Sequence, residues 1–142
     1  ARGASALHMA AFEGMSDAIV QLIAAGADVN RRDVHGQTPL FFAPNPQVCE
    51  LLVEARASVN VLNNKGQSAL HLAAHAGLDD TVHWLAPRMD RHVLDAQDNH
   101  GRTALFCAAH SNIKSTMGIL MRHGADATLR PRIRRDAQGR PK

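Results

Sequence analysis

The sequence predicts an all-α solenoid, a linear stack of short helical units, and three observations carry that reading. A glycine-led segment recurs four times, at residues 3–11, 36–43, 66–74 and 101–109, reading GASALHMAA, GQTPLFFA, GQSALHLAA and GRTALFCAA. Each copy is followed, about two turns later, by a second apolar stretch. Three of the four units then close on Gly-Ala-Asp-Val-Asn or a variant of it, at residues 26–30, 56–60 and 124–128. A fixed period near this length marks a solenoid, in which each unit buries its apolar face against the next. Solenoids present surfaces, so function turns on what the surface holds.

The third unit shows how each element arises. Asn63-Asn64-Lys65-Gly66 reads as a tight turn, with glycine supplying the positive φ that other residues resist. Ser68 stands where a hydroxyl can cap the free amides of a first helix. Leu70, Leu72, Ala73 and Ala74 form its inner face, and the alanines let neighbouring helices approach closely. Gly77 ends that helix. Asp79 and Asp80 open a second one, where carboxylates suit the positive end of the helix dipole. Val82, Leu85 and Trp84 supply its apolar side, and Pro87 stops it. In the second unit Thr38 is the predicted cap, with Pro39 at the first helical position, where its missing N–H costs nothing.

The four-residue runs Ser5-Ala6-Leu7-His8, Thr38-Pro39-Leu40-Phe41 and Ser68-Ala69-Leu70-His71 resemble the TPLH signature of ankyrin repeats, a family with a 33-residue period. The resemblance covers four repeats, at about 1–30, 31–60, 61–95 and 96–128. It reappears faintly in Asp136-Ala137-Gln138-Gly139, so residues 129–142 read as a basic tail or linker carrying the start of a fifth repeat. The resemblance implies helix–turn–helix units joined by projecting hairpin loops, with a concave binding face of hairpin tips and first helices. It implies structural histidines at His8 and His71, bonding backbone within and between repeats. Phe41 and Phe106 stand at the same position in the other two copies, which must hold their loops by packing. No catalytic residue comes with the family.

Departures from the repeat mark where this chain is individual. Its leading glycines are separated by 33, 30 and 35 residues, so the second repeat is about three residues short. Pro44-Asn45-Pro46 replaces the end of its first helix, because proline interrupts helical hydrogen bonding. A notch beside Phe42 and Ala43 should result. The third repeat gains two residues around 87–92, which reads as a lengthened surface loop. Ala1 precedes the first copy without a hairpin and residues 136–141 begin another unit, so either the repeats are expected to continue in both directions or something else covers the ends.

Composition narrows the function classes. The chain of 142 residues is 45% hydrophobic but only 4% aromatic, and alanine and leucine fill the difference. No apolar run approaches the roughly 20 residues that a membrane-spanning helix needs. Cys49 and Cys107 lie two repeats apart on predicted buried faces, which favours reduced thiols and an intracellular compartment. The net charge of +3 is uneven: residues 129–142 hold six basic groups against one acidic, and the remainder is slightly acidic.

Nine histidines raise the question of a metal site. His71 and His75 stand four apart on one helix, yet no third ligand has suitable spacing, so no metal or cofactor is expected. The glycines recur at repeat spacing rather than as a phosphate-cradling loop, and no GxSxG elbow is present. An enzyme is not indicated, and neither is a small-molecule substrate. His75 and His110 occupy equivalent outward positions on first helices, with Phe12 in the first repeat. His35 and His100 share a hairpin-tip position that Lys65 takes in the third repeat. With Arg32 and Val34, these residues are the expected contacts for another protein. Arg130, Arg132, Arg134 and Arg135 form the one charge cluster, suited to an acidic protein surface. The expected function is a protein-binding scaffold, adaptor or peripheral subunit. Alternatives are a regulatory arm of a larger enzyme or channel, and nucleic-acid or anionic-surface binding through the tail.

Overall fold

A computed structural model of the chain describes residues 4–131. Its first repeat contains α1 (Ala6–Phe12) and α2 (Ser16–Ala24). In the second, a four-residue 3-10 turn at Pro39–Phe42 stands where the first helix should be, followed by α3 (Pro46–Glu54). The third pairs α4 (Ala69–Ala76) with α5 (Asp79–Leu85), and the fourth pairs α7 (Ala104–His110) with α8 (Lys114–Arg122). Between them a 3-10 turn at Ala86–Arg88 and a single helical turn, α6 (Arg91–Leu94), occupy the segment that is longer by two residues. First helices pack in one row (α1, the Pro39–Phe42 turn, α4, α7) and second helices in another (α2, α3, α5, α8).

The core runs between the rows. Leu7, Leu40, Leu70 and Leu105 recur at one position of the signature and all are buried. Alanines at Ala11, Ala74 and Ala108 are wholly buried, which lets the first helices sit close enough to exclude water. Ile19, Leu52, Leu85 and Leu120 close the core from the second row. Both cysteines are buried free thiols. Burial pushes the Cys49 thiol up to about 12, and burial raises Cys107 as well, so neither suits nucleophilic chemistry.

Each hairpin is closed the same way. Asp33, Asn63 and Asp98 each use one side-chain oxygen to accept the N–H groups two and four residues on, at 2.9–3.0 Å. The loops then bond to one another: Asn64 N–H donates to the His35 carbonyl and Asn99 N–H to that of Lys65, both at 2.9 Å. These are turns rather than ladders, and no strand is present among the described residues. The signature histidines tie helix to hairpin. In α1 the Ser5 N–H donates to His8 Nδ1 at 3.1 Å, leaving Nε2–H to reach the Gln37 carbonyl at 2.8 Å. His71 repeats the arrangement with Ser68 and the Arg102 carbonyl, 31 residues away. Burial lowers the pKa of His71, against the opposing pull of its bond to Arg102, so the neutral ring is favoured.

Two expectations are corrected, and one backbone feature is added. Thr38 is not a cap: its hydroxyl has no partner among the described residues, because the tightened 3-10 turn sends the Phe41 N–H to the Thr38 carbonyl instead. Residues 87–92 are not merely a surface loop. Met89, Val93 and Leu94 are buried, so the insertion extends the core. Arg56 stands where the other copies have glycine and is held at φ 74°, beside Gly26 at 92° and Gly124 at 88°. The loop geometry is imposed by stacking, since the Arg56 carbonyl accepts from Asn30 Nδ2 and Asn30 Oδ1 accepts from the Ser58 N–H.

Candidate protein-binding face

Hairpins and first helices together line three adjoining depressions. One, of about 580 Å³, lies over the shortened second repeat. A second of about 290 Å³ lies beside α1 and the first hairpin, and a third of about 250 Å³ lies between the hairpins at His35–Gln37 and Asn63–Gln67. Phe12 and Phe42 line both of the first two, so the depressions form one run along the stack.

The depression over the second repeat has a direct cause in the sequence. Three missing residues amount to almost one helical turn, about 5 Å of helix. The chain leaves Phe42 and Ala43 and turns away at Pro44, with Asn45 capping α3 through the Val48 N–H at 3.0 Å. The column of outward residues on first helices therefore reads Phe12, a gap, His75 and His110. Phe12, His75, Leu72 and Ala76 line the gap, with Phe42 and Pro44 at its floor and end. This is the notch that the sequence places beside Phe42 and Ala43.

The expected contact residues fall on this face in different states. Phe12 is 68% exposed and Val34 50% exposed, large apolar groups facing water. His35, Lys65 and His100 are exposed at the hairpin tips. Arg32 is exposed but braced, its Nη1 donating to the Leu62 carbonyl at 3.1 Å. His75 is linked to the next repeat through Ser111 Oγ at 3.2 Å, and His110 stacks nearly parallel on Phe106 with centroids 6.0 Å apart. Of the tail, Arg130 is exposed and its carbonyl accepts from Gln97 Nε2 at 3.0 Å. Arg132, Arg134 and Arg135 lie outside the described residues.

Sequence reasoning missed Leu72, Ala76 and Arg102 as lining residues, because only the missing neighbour uncovers them. It also missed two pairings on the second helices. His83 and His123 meet at 2.9 Å between ring nitrogens, and the Arg88 guanidinium lies 3.9 Å over the Trp84 ring. The two histidines are separated by 40 residues and leave no local pattern to read, whereas Arg88 and Trp84 stand only four residues apart.

Electrostatically the run is poor in free carboxylate. Burial disfavours the charge on Asp98, but the N–H groups of Arg102 and His100 and the Arg102 guanidinium outweigh it and hold its pKa below the usual range. Asp33 is engaged by its own loop in the same way. Among the described residues no three His, Cys, Asp or Glu side chains are grouped to hold a metal ion, and no helix is long and apolar enough to cross a membrane.

A stack of helix pairs with bonded hairpin tips and an uncovered inner run defines a repeat protein built for contact. Comparison with known proteins gives the family. A family model described as ankyrin repeats (3 copies) matches residues 1–61 and 44–131, and the chain belongs to the ankyrin-repeat family. That family is typically protein-binding and non-catalytic. The chain is 38% identical over 74 residues to the mouse (Mus musculus) protein phosphatase 1 regulatory subunit 12A, covering 50% of this chain and 7% of that protein. It is 41% identical over 78 residues to the probable E3 ubiquitin-protein ligase XBOS33 of Oryza sativa subsp. japonica, covering 52% and 15%. Human (Homo sapiens) ankyrin repeat domain-containing protein 37 is 34% identical over 84 residues, covering 57% and 53%. The matched segment thus spans about half of this last relative and a small part of the others.

Proposed function

We propose that this chain is a non-catalytic protein-binding scaffold, adaptor or peripheral subunit whose partner lies along the run of hairpin tips and first helices. Four repeats over residues 1–128 supply the surface, and the basic segment 129–142 supplies a second, electrostatic contact with an acidic protein surface. The observation that carries the reading is the continuous run of depressions flanked by exposed Phe12 and Val34. Exposed apolar groups beside a groove mark a contact surface when they cluster. Two buried thiols support an intracellular setting. The His75→Glu, His110→Glu double variant should lose the partners that the full chain retains in native extract, at unchanged helicity by circular dichroism. Equal retention by both proteins refutes the groove assignment.

A second reading, a regulatory arm of a larger enzyme, is supported by the names and lengths of two relatives. One is called a phosphatase regulatory subunit and another a probable ligase, and the chain matches 7% and 15% of them.

A further inference from the structure

We propose that the notch over the second repeat is an anchor pocket for one bulky apolar side chain of an extended peptide whose neighbouring residues are acidic. The proposal rests on the groove reading above and names its partner class.

The apolar half of the argument comes from the deletion. In a regular stack the second turn of the second repeat's first helix would stand between Phe12 and His75 and cover Leu72 and Ala76. Its absence leaves a trough of about 580 Å³ whose exposed lining is mainly apolar, open along the groove. A volume of this size holds a large side chain with room for the backbone that carries it. The neighbouring depression of about 290 Å³ shares Phe12 and Phe42, so the peptide has a path onward past the first repeat. A depression of about 620 Å³ adjoins the trough on the second-helix side and shares Pro44, Leu78 and Thr81, but its lining is more polar and carries Asp79 and Asp80, so it suits neither an apolar anchor nor acidic neighbours.

The acidic half comes from charge. The ionisable groups that line the trough are His71, His75, Arg102 and Cys107, with no carboxylate among them. Arg102 keeps 38% of its side chain exposed while its Nε bonds Asp98. Lys65, His35 and His100 project from the adjacent hairpins. The carboxylates of those hairpins, Asp33 and Asp98, are turned onto their own loop amides. Glu13 is exposed next to Phe12 in sequence but does not line the trough. A peptide seated there meets the cationic Arg102 and Lys65 along the hairpin side, with histidine rings as hydrogen-bonding neighbours, which complements Asp and Glu and repels Lys and Arg.

The test is selection of random 12-residue peptides displayed against the immobilised full chain, followed by fluorescence anisotropy of the most enriched labelled peptide. The expected consensus has one Leu or aromatic residue with Asp or Glu within a few positions. Changing that residue to Ala should weaken binding by about 10- to 100-fold. Ala76→Trp, on an exposed position that lines the trough, should weaken it about tenfold or more by occupying the space. Lys65→Glu should weaken it about 3- to 10-fold at low salt and less at 0.5 M salt. A consensus without an apolar anchor, one with basic flanks, or undiminished binding to Ala76→Trp overturns the proposal. In those cases sensitivity to His75→Glu and His110→Glu still reports on the groove itself. Enrichment of no peptide overturns the peptide proposal, and the native-extract comparison then decides the groove reading separately.

Discussion

Thr38 and Thr103 occupy the same position in two repeats and have the same backbone, near φ −90° and ψ 170°. Both are buried, at 1% and 3% exposure. Only their hydroxyls differ in circumstance. That of Thr103 accepts the Phe106 N–H at 3.1 Å, satisfying an amide that has no helical partner. That of Thr38 has no partner among the described residues. Valine replaces hydroxyl by methyl at nearly constant shape, and its preference for extended backbone helps both sites equally. Thr103→Val should therefore cost about 1 kcal/mol, the usual loss for an N-cap. Thr38→Val should gain about 1 kcal/mol, because it removes a buried polar group that bonds nothing. The difference between the variants, about 2 kcal/mol, is the robust quantity, since strand propensity cancels in it. Urea unfolding followed by circular dichroism reads it directly. With an m value of about 2 kcal/mol per M, the two midpoints should move about 0.5 M in opposite directions. If Thr38→Val lowers the midpoint as far as Thr103→Val does, the Thr38 hydroxyl is satisfied and the account of the 3-10 turn is wrong.

Two further outcomes follow from the same geometry. Arg56→Gly relieves a non-glycine residue held at φ 74°, and should stabilise the chain by about 1 kcal/mol, seen as a higher urea midpoint at unchanged m; a lower midpoint refutes strain at that position. Because the folded pKa of His71 is lowered, the folded state binds fewer protons there than the unfolded state near pH 6, so His71's contribution is present above its unfolded value of about 6.5 and lost as pH falls below it. His71→Gln should accordingly flatten the fall in stability between pH 7.5 and 5.5, and identical slopes for the two proteins would contradict a buried neutral ring.

Much of the architecture was legible because it rests on contacts within a few residues. Gly77 ends α4, Pro39 opens the shortened turn, and His8 and His71 hold hairpins as the signature resemblance implies. The notch was legible too, since a step of 30 between glycines, with two prolines beside it, leaves no residues to finish a helix. What went unread depends on neighbours distant in the chain. The lengthened segment at 87–92 read as a surface loop because Met89, with Val93 and Leu94 just after it, finds its core only after the stack forms. Arg32 looked like a free contact because its acceptor, the Leu62 carbonyl, lies 30 residues on.

By itself the sequence determined the period, the helix pairs, the tight turn at Asn63–Gly66 and the family. Each follows from short-range rules of spacing, capping and turn geometry that repeat copy by copy. Tertiary structure alone decided which side chains share a surface. It placed Phe12, Leu72 and Arg102, from three repeats, on one trough; it left the Thr38 hydroxyl without a partner; and it brought His83 to His123. The reason is registry. A repeat sets what each unit is, whereas deletions and insertions set how units align, and only the stacked molecule shows which surfaces that alignment uncovers.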